Sequence, residues 1–287
     1  MVWILAGLAG AGLVIAGYAS LIEQRWYALR RHRVPCLPSG SKPLRIVHLS
    51  DLHFRPVQKR KARFLRGLAS LKPDIVIGTG DFLGDPDTVP GVLEALDGLR
   101  GSVASLFVLG SNDYYAPVPK NPLRYLAGPS SRKGHGGGII NPWRDLVQGL
   151  QQKGWELIAN RTLSIGGIDI LGLDDPHIGK DDLSLATPRT QPGFRLAIAH
   201  SPDPAFKLAE LGYDLIVAGH THGGQLRIPG LGAVVTNTKG LPRRMARGLH
   251  KINGSWLHVS AGLGTSKYAP FRFACRPEVC VLELEPV

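Results

Sequence analysis

The chain begins with an apolar segment in which the first 22 residues carry no charged side chain. As a helix, this segment would span about 33 Å at about 1.5 Å per residue, which is enough to cross the hydrocarbon core of a bilayer. Basic side chains come directly after it, at Arg25, Arg30, Arg31 and Arg33. The pattern predicts a transmembrane anchor over residues 1–22 and a basic juxtamembrane linker over residues 23–42.

Two other interpretations of the apolar segment stay open. One is a cleaved signal peptide, because Gly17-Tyr18-Ala19 resembles a small-x-small cleavage site, although no Lys or Arg precedes the apolar run. The other is a buried helix of a soluble protein. The basic flank favours an uncleaved anchor, and the positive-inside rule places the basic side of the anchor in the cytoplasm. We therefore expect a single-pass protein of the cell membrane with a cytoplasmic main domain.

Short apolar runs alternate with segments of helical periodicity after residue 43. Three runs are typical of buried strands, at residues 44–49, 74–78 and 103–109, and helical periodicity separates them at residues 59–71 and 89–99. This order predicts an α/β fold with largely parallel early strands. Later runs predict a second sheet within one domain over residues 43–287: residues 168–173, 194–199, 215–218, 257–260 and 279–284.

Composition narrows the function classes. Hydrophobic residues make up 44% of the chain and charged residues 20%, which excludes a disordered protein. The cysteines, Cys36, Cys275 and Cys280, are too few for a disulfide-stapled mini-protein and suit a reducing compartment. The net charge of +12 indicates an anionic partner, for which nucleic acid, anionic lipid and a phosphorylated small molecule are the candidates.

Polar side chains follow the apolar runs, at the carboxyl ends of predicted strands. In an open α/β sheet these ends face the ligand crevice, so we expect the side chains to converge. Asp and His together are ligands for borderline divalent ions such as Mn, Fe or Zn. The number of candidates suits two ions that share a carboxylate, which can clamp a phosphate and lower the pKa of a bound water. The candidates are Asp51, His53, Asp81, Ser111, Asn112, His200, His220 and His222.

Four of these motifs resemble those of the calcineurin-like metallophosphoesterases: Asp51-x-His53, Gly80-Asp81, His200 and Gly219-His220-x-His222. The resemblance runs over about residues 44–284. The apolar segment and residues 262–279 also resemble the membrane-associated bacterial branch, which includes hydrolases of UDP-2,3-diacylglucosamine. The resemblance implies a four-layer α/β/β/α sandwich and two divalent metal ions, with Mn favoured and Fe or Zn as alternatives.

The resemblance also implies a role for each ligand. Asp51, His53 and His222 would hold the first metal ion, whereas His200 and His220 would hold the second. Asp81 would bridge the two ions and would therefore also be a catalytic residue. The implied reaction is hydrolysis of a phosphodiester, a pyrophosphate or a phosphomonoester by attack of a metal-bound hydroxide.

One motif departs from the family. The usual Gly-Asn-His followed by an acid is replaced by Gly110-Ser111-Asn112-Asp113. Without a gap, Ser111 takes the place of the Asn ligand and Asn112 that of the His; with a shift of one residue, Asn112 itself reaches the second ion. We expect Asn112 to be a metal ligand and catalytic residue, and Ser111 to contact substrate. No residue matches the general-acid His, whose loss typically costs about 10²–10⁴-fold.

Two further segments carry weaker candidates. Residues 115–141 are rich in Pro, Gly and basic residues and predict a long loop, in which His135 is a candidate substrate-binding residue or an ordinary loop position. Asp174-Asp175-Pro176-His177 follows another apolar run and is explained by a turn. A substrate role for His177 is the less favoured alternative.

The leading hypothesis is a membrane-anchored phosphoesterase that acts on a phosphorylated small molecule or lipid at an anionic membrane surface. A second hypothesis, a phosphoesterase of nucleic acid or nucleotides, lacks a recognised nucleic-acid module or an aromatic-basic stacking pattern. A third is a non-catalytic metal-binding protein with a degenerate Gly-Ser-Asn-Asp motif. No protein partner is implied.

Overall fold

Two six-stranded sheets form the centre of the fold in a computed structural model that describes residues 1–119, 139–238 and 240–287. The first sheet has the spatial order β1 (Ala28–Leu37), β14 (Glu278–Pro286), β2 (Leu44–Leu49), β3 (Ile75–Thr79), β4 (Ala104–Val108) and β5 (Glu156–Leu157). The second has the order β12 (Gly248–Ile252), β13 (Ser255–Val259), β9 (Leu215–Ala218), β8 (Phe194–Ala199), β7 (Ile168–Leu173) and β6 (Arg161–Ile165). A short hairpin joins β10 (Arg227–Ile228) and β11 (Gly232–Ala233).

Strand direction determines at which edge of each sheet the loops that follow the parallel strands lie. Strands β2 to β5 run parallel to one another in the first sheet, and β7, β8, β9 and β13 do so in the second. Strand β14 is antiparallel to β2, and the outer strands β6 and β12 are antiparallel to their neighbours. The carboxyl ends of the parallel strands in each sheet therefore lie at one edge of that sheet, which is where ligands bind in open α/β folds.

Helices cover both outer faces of the sheet pair. On the first sheet lie α2 (Lys59–Gly67), α3 (Val89–Ala95) and α5 (Trp143–Gln152), whereas α6 (Ala205–Glu210) lies on the second. A one-turn helix, α4 (Ser111–Tyr114), follows β4. Between the sheets, apolar side chains of both inner faces form a continuous core, as a sandwich of this kind requires. The predicted α/β/β/α arrangement is confirmed.

The amino-terminal segment is helical and largely outside the core. Helix α1 (Val2–Gly17) continues through a π-helical turn, Tyr18–Ile22, and a 3₁₀ turn, Glu23–Arg25. Within the described residues, Ala6–Arg25 is the one helical stretch long and apolar enough to cross a membrane, and 11% of its apolar window is buried. A core helix would be mostly buried, so the structure does not fit the interpretation of this segment as a buried helix of a soluble protein. A signal sequence passes the same test of length and composition.

The structure differs from the predicted linker over residues 23–42. Strand β1 pairs in parallel with β14 over almost its whole length and forms an edge of the first sheet. Its inward positions Val34 and Leu37 are buried, whereas the outward side chain of Arg31 forms an ion pair with Glu283 of β14. Arg31 and Arg33 therefore lie on the exposed side of an edge strand, where charges discourage pairing with other chains.

Candidate metal centre

Four predicted ligands come together at the strand ends. Asp51 and His53 follow β2, Asp81 follows β3, and His222 follows β9. Their ligating atoms all lie within 4.8 Å of one another, and all four residues are buried. Buried carboxylate and imidazole groups at this spacing form a candidate metal site.

The carboxylate of Asp81 lies between two groups of side chains. Its Oδ2 atom is 3.4 Å from Nε2 of His53 and 3.8 Å from Nε2 of His200. The same oxygen accepts a hydrogen bond of 2.7 Å from the Asn112 amide. Asp81 therefore occupies the position expected of a carboxylate shared between two ions.

Polar atoms around His53 and His222 are placed to bind a cation. The Nε2 atoms of these two rings are 3.1 Å apart, a spacing at which either one hydrogen bond or one cation can join them. Oδ1 of Asp51 is 3.6 Å from Nε2 of His222 and has no hydrogen-bond partner among the described residues. An orphaned, buried carboxylate oxygen beside two imidazole nitrogens is the donor set of a divalent ion.

A second group of imidazoles lies on the other side of Asp81. Nδ1 of His200 contacts the carbonyl oxygen of Thr79 at 2.7 Å, which directs Nε2 of the same ring toward the centre. Nδ1 of His220 lies 3.1 Å from that Nε2 atom. The structure thus places His200 and His220 together, as the resemblance implied for the second ion.

Asn112 contacts the carboxylate of Asp81. The backbone N–H of Asn112 donates to Oδ1 of Asp81 at 2.8 Å, and its amide lies against Oδ2. Ser111 begins α4 and is buried beside this contact. The loop register therefore brings Asn112 to the centre, which is the geometry expected under either alignment of the motif.

Asp113 fixes this loop against the one that follows β3. Its carboxylate is fully buried and accepts four hydrogen bonds of 2.7–3.0 Å from backbone N–H groups, those of Asp81, Phe82, Leu83 and Gly110. This role was not predicted, because it depends on contacts between two loops that are far apart in the chain. The only signal for it in the sequence is the acid that ends the family motif at this position.

Five of the predicted ligands have left-handed backbone conformations. Their φ angles are 48° at Asp51, 37° at His53, 55° at Asp81, 67° at His220 and 51° at His222. Positive φ is uncommon for residues other than glycine and is strained, and such residues cluster at functional sites. The sharp turns at the strand ends direct these side chains into one volume.

Burial keeps three of the imidazoles in the form that binds metals. It lowers the pKa of His53, His220 and His222 well below the usual value, and neighbouring basic side chains lower each pKa further. These rings are therefore neutral at physiological pH. A neutral ring has a lone pair available to a cation without first losing a proton.

His200 and Asp51 behave differently in the protein without metal. Burial lowers the pKa of His200, but the carboxylates of Asp81, Asp175 and Asp51 outweigh burial and raise this pKa to about 10. Burial also raises the pKa of Asp51 to about 6. Protons and divalent cations therefore compete for the same negatively charged volume.

His177 is a residue that sequence reasoning did not select. Its ring stacks on that of His220 with centroids 3.9 Å apart, and its Nε2 atom is 3.0 Å from a carboxylate oxygen of Asp203. The signal was its place after β7, at the same end of the sheet as the other candidates. His135, the remaining candidate, lies outside the described residues.

A cavity of about 680 Å³ lies beside the centre, between the end of the amino-terminal helical segment and the loops that follow β2 and β13. Its wall combines basic with apolar residues, including Arg25, Arg55, Arg60, Leu21 and Val57. Nη2 of Arg55 donates to the hydroxyl of Thr265 at 3.1 Å, which ties the two loops together. Arg55 lies two residues after His53, so this cavity adjoins the metal ligands.

Comparison with known proteins identifies the family. The calcineurin-like phosphoesterase profile matches residues 44–224, which is more than half of the chain.

Three relatives align with most of the chain. The uncharacterized metallophosphoesterase YkuE of Bacillus subtilis is 27% identical over 97% of this chain and 94% of its own length. The phosphodiesterase YaeI of Escherichia coli is 27% identical over 93% of this chain and 92% of its own. The UDP-2,3-diacylglucosamine pyrophosphatase LpxG of Chlamydia trachomatis is 28% identical over 83% of each. The chain therefore belongs to the calcineurin-like phosphoesterase family and is a hydrolase of phosphoric esters.

Proposed function

We propose that the chain is a membrane-anchored, dinuclear-metal phosphoesterase that hydrolyses a phosphodiester or pyrophosphate bond in a lipid-linked substrate. The observation that carries this proposal is the position of Asp81, with His53 on one side and His200 on the other. A carboxylate within reach of two imidazole groups supports a pair of ions rather than a single one.

Each part of the ligand set has a role in this proposal. Asp51, His53 and His222 would hold one ion, His200 and His220 the other, and Asp81 both. Two divalent ions, when bound, would polarise the phosphoryl oxygens and lower the pKa of a bound water. The mixed carboxylate and imidazole donors suit Mn²⁺, with Fe or Zn as alternatives.

The presence of Asn112 in place of a general acid restricts which leaving groups the reaction can release. Its amide lies against Asp81, where it can orient the carboxylate or a phosphoryl oxygen. An amide does not release a proton at physiological pH, so it does not supply the acid that the family's His would. We therefore favour phosphodiester and pyrophosphate substrates, whose leaving groups need less protonation than the alkoxide of an alkyl monoester.

The cavity beside the centre supports a lipid-linked substrate. Its basic side chains suit phosphate groups, and its apolar ones suit acyl chains. The end of the candidate membrane helix forms part of its wall, through residues such as Leu21 and Arg25. LpxG, whose name gives UDP-2,3-diacylglucosamine as substrate, is a relative over most of the chain. The basic residues after the helix support a cytoplasmic domain under the positive-inside rule.

The test compares two substrates that differ only in their acyl chains. We expect the full-length protein with Mn²⁺ to hydrolyse a nucleotide diacylglucosamine in mixed micelles faster than the same head group without acyl chains. We expect Arg60→Glu to raise the KM for the acylated substrate about 30-fold, since one basic residue near an anionic surface contributes about 1 kcal/mol and a charge reversal changes the interaction by about twice that. The hydrolysis of a soluble aryl phosphodiester should change little.

Arg66→Glu is the matched control. Arg66 lies on the same helix, α2, but its side chain is exposed and pairs with Glu94 outside the cavity. Equal rates for the acylated and unacylated substrates would contradict the lipid-linked proposal. Faster cleavage of single-stranded DNA than of either would instead favour the nucleic-acid alternative.

A further inference from the structure

A second cluster of potential metal ligands lies between the two sheets. His32 of β1 and Cys280 of β14 belong to the first sheet, whereas His258 of β13 belongs to the second. Their ligating atoms lie within 4.8 Å of one another. His258 and Cys280 are fully buried, and His32 is half-buried on the edge strand. None of the three belongs to the candidate catalytic centre.

Two nitrogens of this cluster are unsatisfied. Nε2 of His32 and Nε2 of His258 are both buried and have no hydrogen-bond partner among the described residues. Buried polar atoms in folded proteins almost always have a partner, so two nitrogens without one in a cluster that also holds a thiol need an explanation. A bound cation supplies one.

Hydrogen bonding fixes which nitrogen of His258 carries the proton. A carboxylate only accepts, so the hydroxyl of Ser50 donates to Asp51 and therefore accepts from the hydroxyl of Thr79. Thr79, having donated its proton, accepts from Nε2 of His48 at 2.9 Å. Nδ1 of His48 must then accept from Nδ1 of His258 at 3.0 Å. Nε2 of His258 is left with a free lone pair.

We propose that His32, His258 and Cys280 bind one zinc ion between the sheets, separate from the catalytic centre. A thiolate with two imidazoles suits zinc rather than magnesium or manganese, which prefer oxygen ligands. The hydrogen bond that His258 donates through Nδ1 is the usual support for a metal-binding imidazole. Binding releases the thiol proton of Cys280 to solvent, and a water completes four ligands.

Cobalt distinguishes this site from the catalytic one. Co²⁺ replaces zinc and gives a sulfur-to-cobalt charge-transfer absorption in the near ultraviolet only when a thiolate is a ligand. We expect saturating Co²⁺ to produce this absorption in the full-length, reduced protein, with the intensity of one thiolate ligand per chain, and Zn²⁺ to remove it. Asp81→Asn should keep the absorption, so the result does not depend on whether the catalytic centre is dinuclear.

Cysteine variants identify which thiol binds the cobalt ion. Cys280→Ser should abolish the absorption, whereas Cys36→Ser should keep it, because Cys36 lies on β1 but outside the cluster. An absorption that survives in Cys280→Ser would come from another thiol and would overturn the proposal. So would its absence from the folded parent protein, because Cys280 would then be an ordinary buried thiol.

His32→Gln provides a variant at the sheet edge, where folding is least affected. We expect its cobalt affinity to fall by more than about 100-fold, since losing a ligand exceeds the 10–100-fold cost of losing a ligand's hydrogen-bond partner. Circular dichroism would show whether each variant is folded. Unchanged affinity in folded His32→Gln would contradict the assignment of His32 as a ligand.

Discussion

At the scale of single residues, substitutions of Asn112 and Ser111 test which of the two side chains the loop after β4 brings to the metal centre. Because the Asn112 amide lies against Asp81, we expect Asn112→Ala to lower kcat by at least about 10²-fold, the usual cost of one preorganised polar contact in an active site. Ser111→Ala should cost less than about 10-fold, since the contacts to Asp81 in this loop come from Asn112. Steady-state kinetics on an aryl phosphodiester would measure both.

The reverse order of effects would contradict this register. A large loss in Ser111→Ala with an active Asn112→Ala would mean that the serine hydroxyl, in place of the family's Asn, serves the second ion. Metal content measured on each variant separates loss of an ion from loss of catalysis with both ions bound.

At the scale of elements, the turn after β9 leaves no space for a side chain at Gly219. A methyl group at Gly219 would lie 1.7 Å from Oγ of Ser50 and 2.6 Å from Oδ2 of Asp51. Gly219→Ala should therefore displace Asp51, lower activity by more than about 10²-fold and destabilise the fold by about 1–3 kcal/mol, the usual cost of overpacking. Turnover and denaturant unfolding would measure the two effects.

Gly67→Ala is the matched control for this substitution. Gly67 ends α2 with open space around its ideal Cβ position, so we expect unchanged activity and a stability gain of about 0.5–1 kcal/mol. A fully active Gly219→Ala would show that the close approach of β9 to Asp51 is not needed.

The sequence pattern predicted the buried parallel strands best. Strands β7, β8 and β9 have the predicted bounds, because they are almost wholly buried and consist mostly of apolar residues. Strand β1 was missed because its basic residues form one run, residues 30–33, which suggested a linker. Exposure alternates along the strand although residue type does not, and this alternation marks an edge strand with one face exposed.

The candidate metal ligands could be predicted because their residue types and their positions in the chain both indicate a metal site. Asp and His immediately after apolar runs indicated both the chemistry and the common edge of the sheet. His177 also follows such a run, but a turn of Asp and Pro explained it locally, and its stacking on His220 depends on tertiary packing. The choice between Ser111 and Asn112 likewise depends on the loop conformation that Asp113 fixes.

At the scale of the whole molecule, metal binding and pH should be linked. In the protein without metal, the raised pKa of His200, about 10, means that its proton stabilises the fold fully below the unfolded value near 6.5. This stability is lost as pH rises through about 10. A cation needs the neutral ring, so it competes with that proton, and its binding should strengthen with pH.

We therefore expect the difference in Tm between the Mn²⁺-loaded and the chelated protein to grow from about pH 6 to about pH 8, with protons released on binding. Thermal unfolding with Mn²⁺ or with chelator, at matched ionic strength, would measure it. A difference that shrinks over this range would contradict the assignment of His200 as a ligand. Asp81→Asn, which removes the main charge beside His200, should flatten the dependence.

The most direct test of the central claim joins metal content to turnover in the parent protein and in Asp81→Ala. We predict that the parent binds two Mn²⁺ ions per chain and cleaves an aryl phosphodiester. Asp81→Ala should lose at least one of the ions and at least about 10³-fold in kcat, because both ions depend on the shared carboxylate. Full turnover by Asp81→Ala, or none by the parent with any divalent ion, would contradict a dinuclear phosphoesterase.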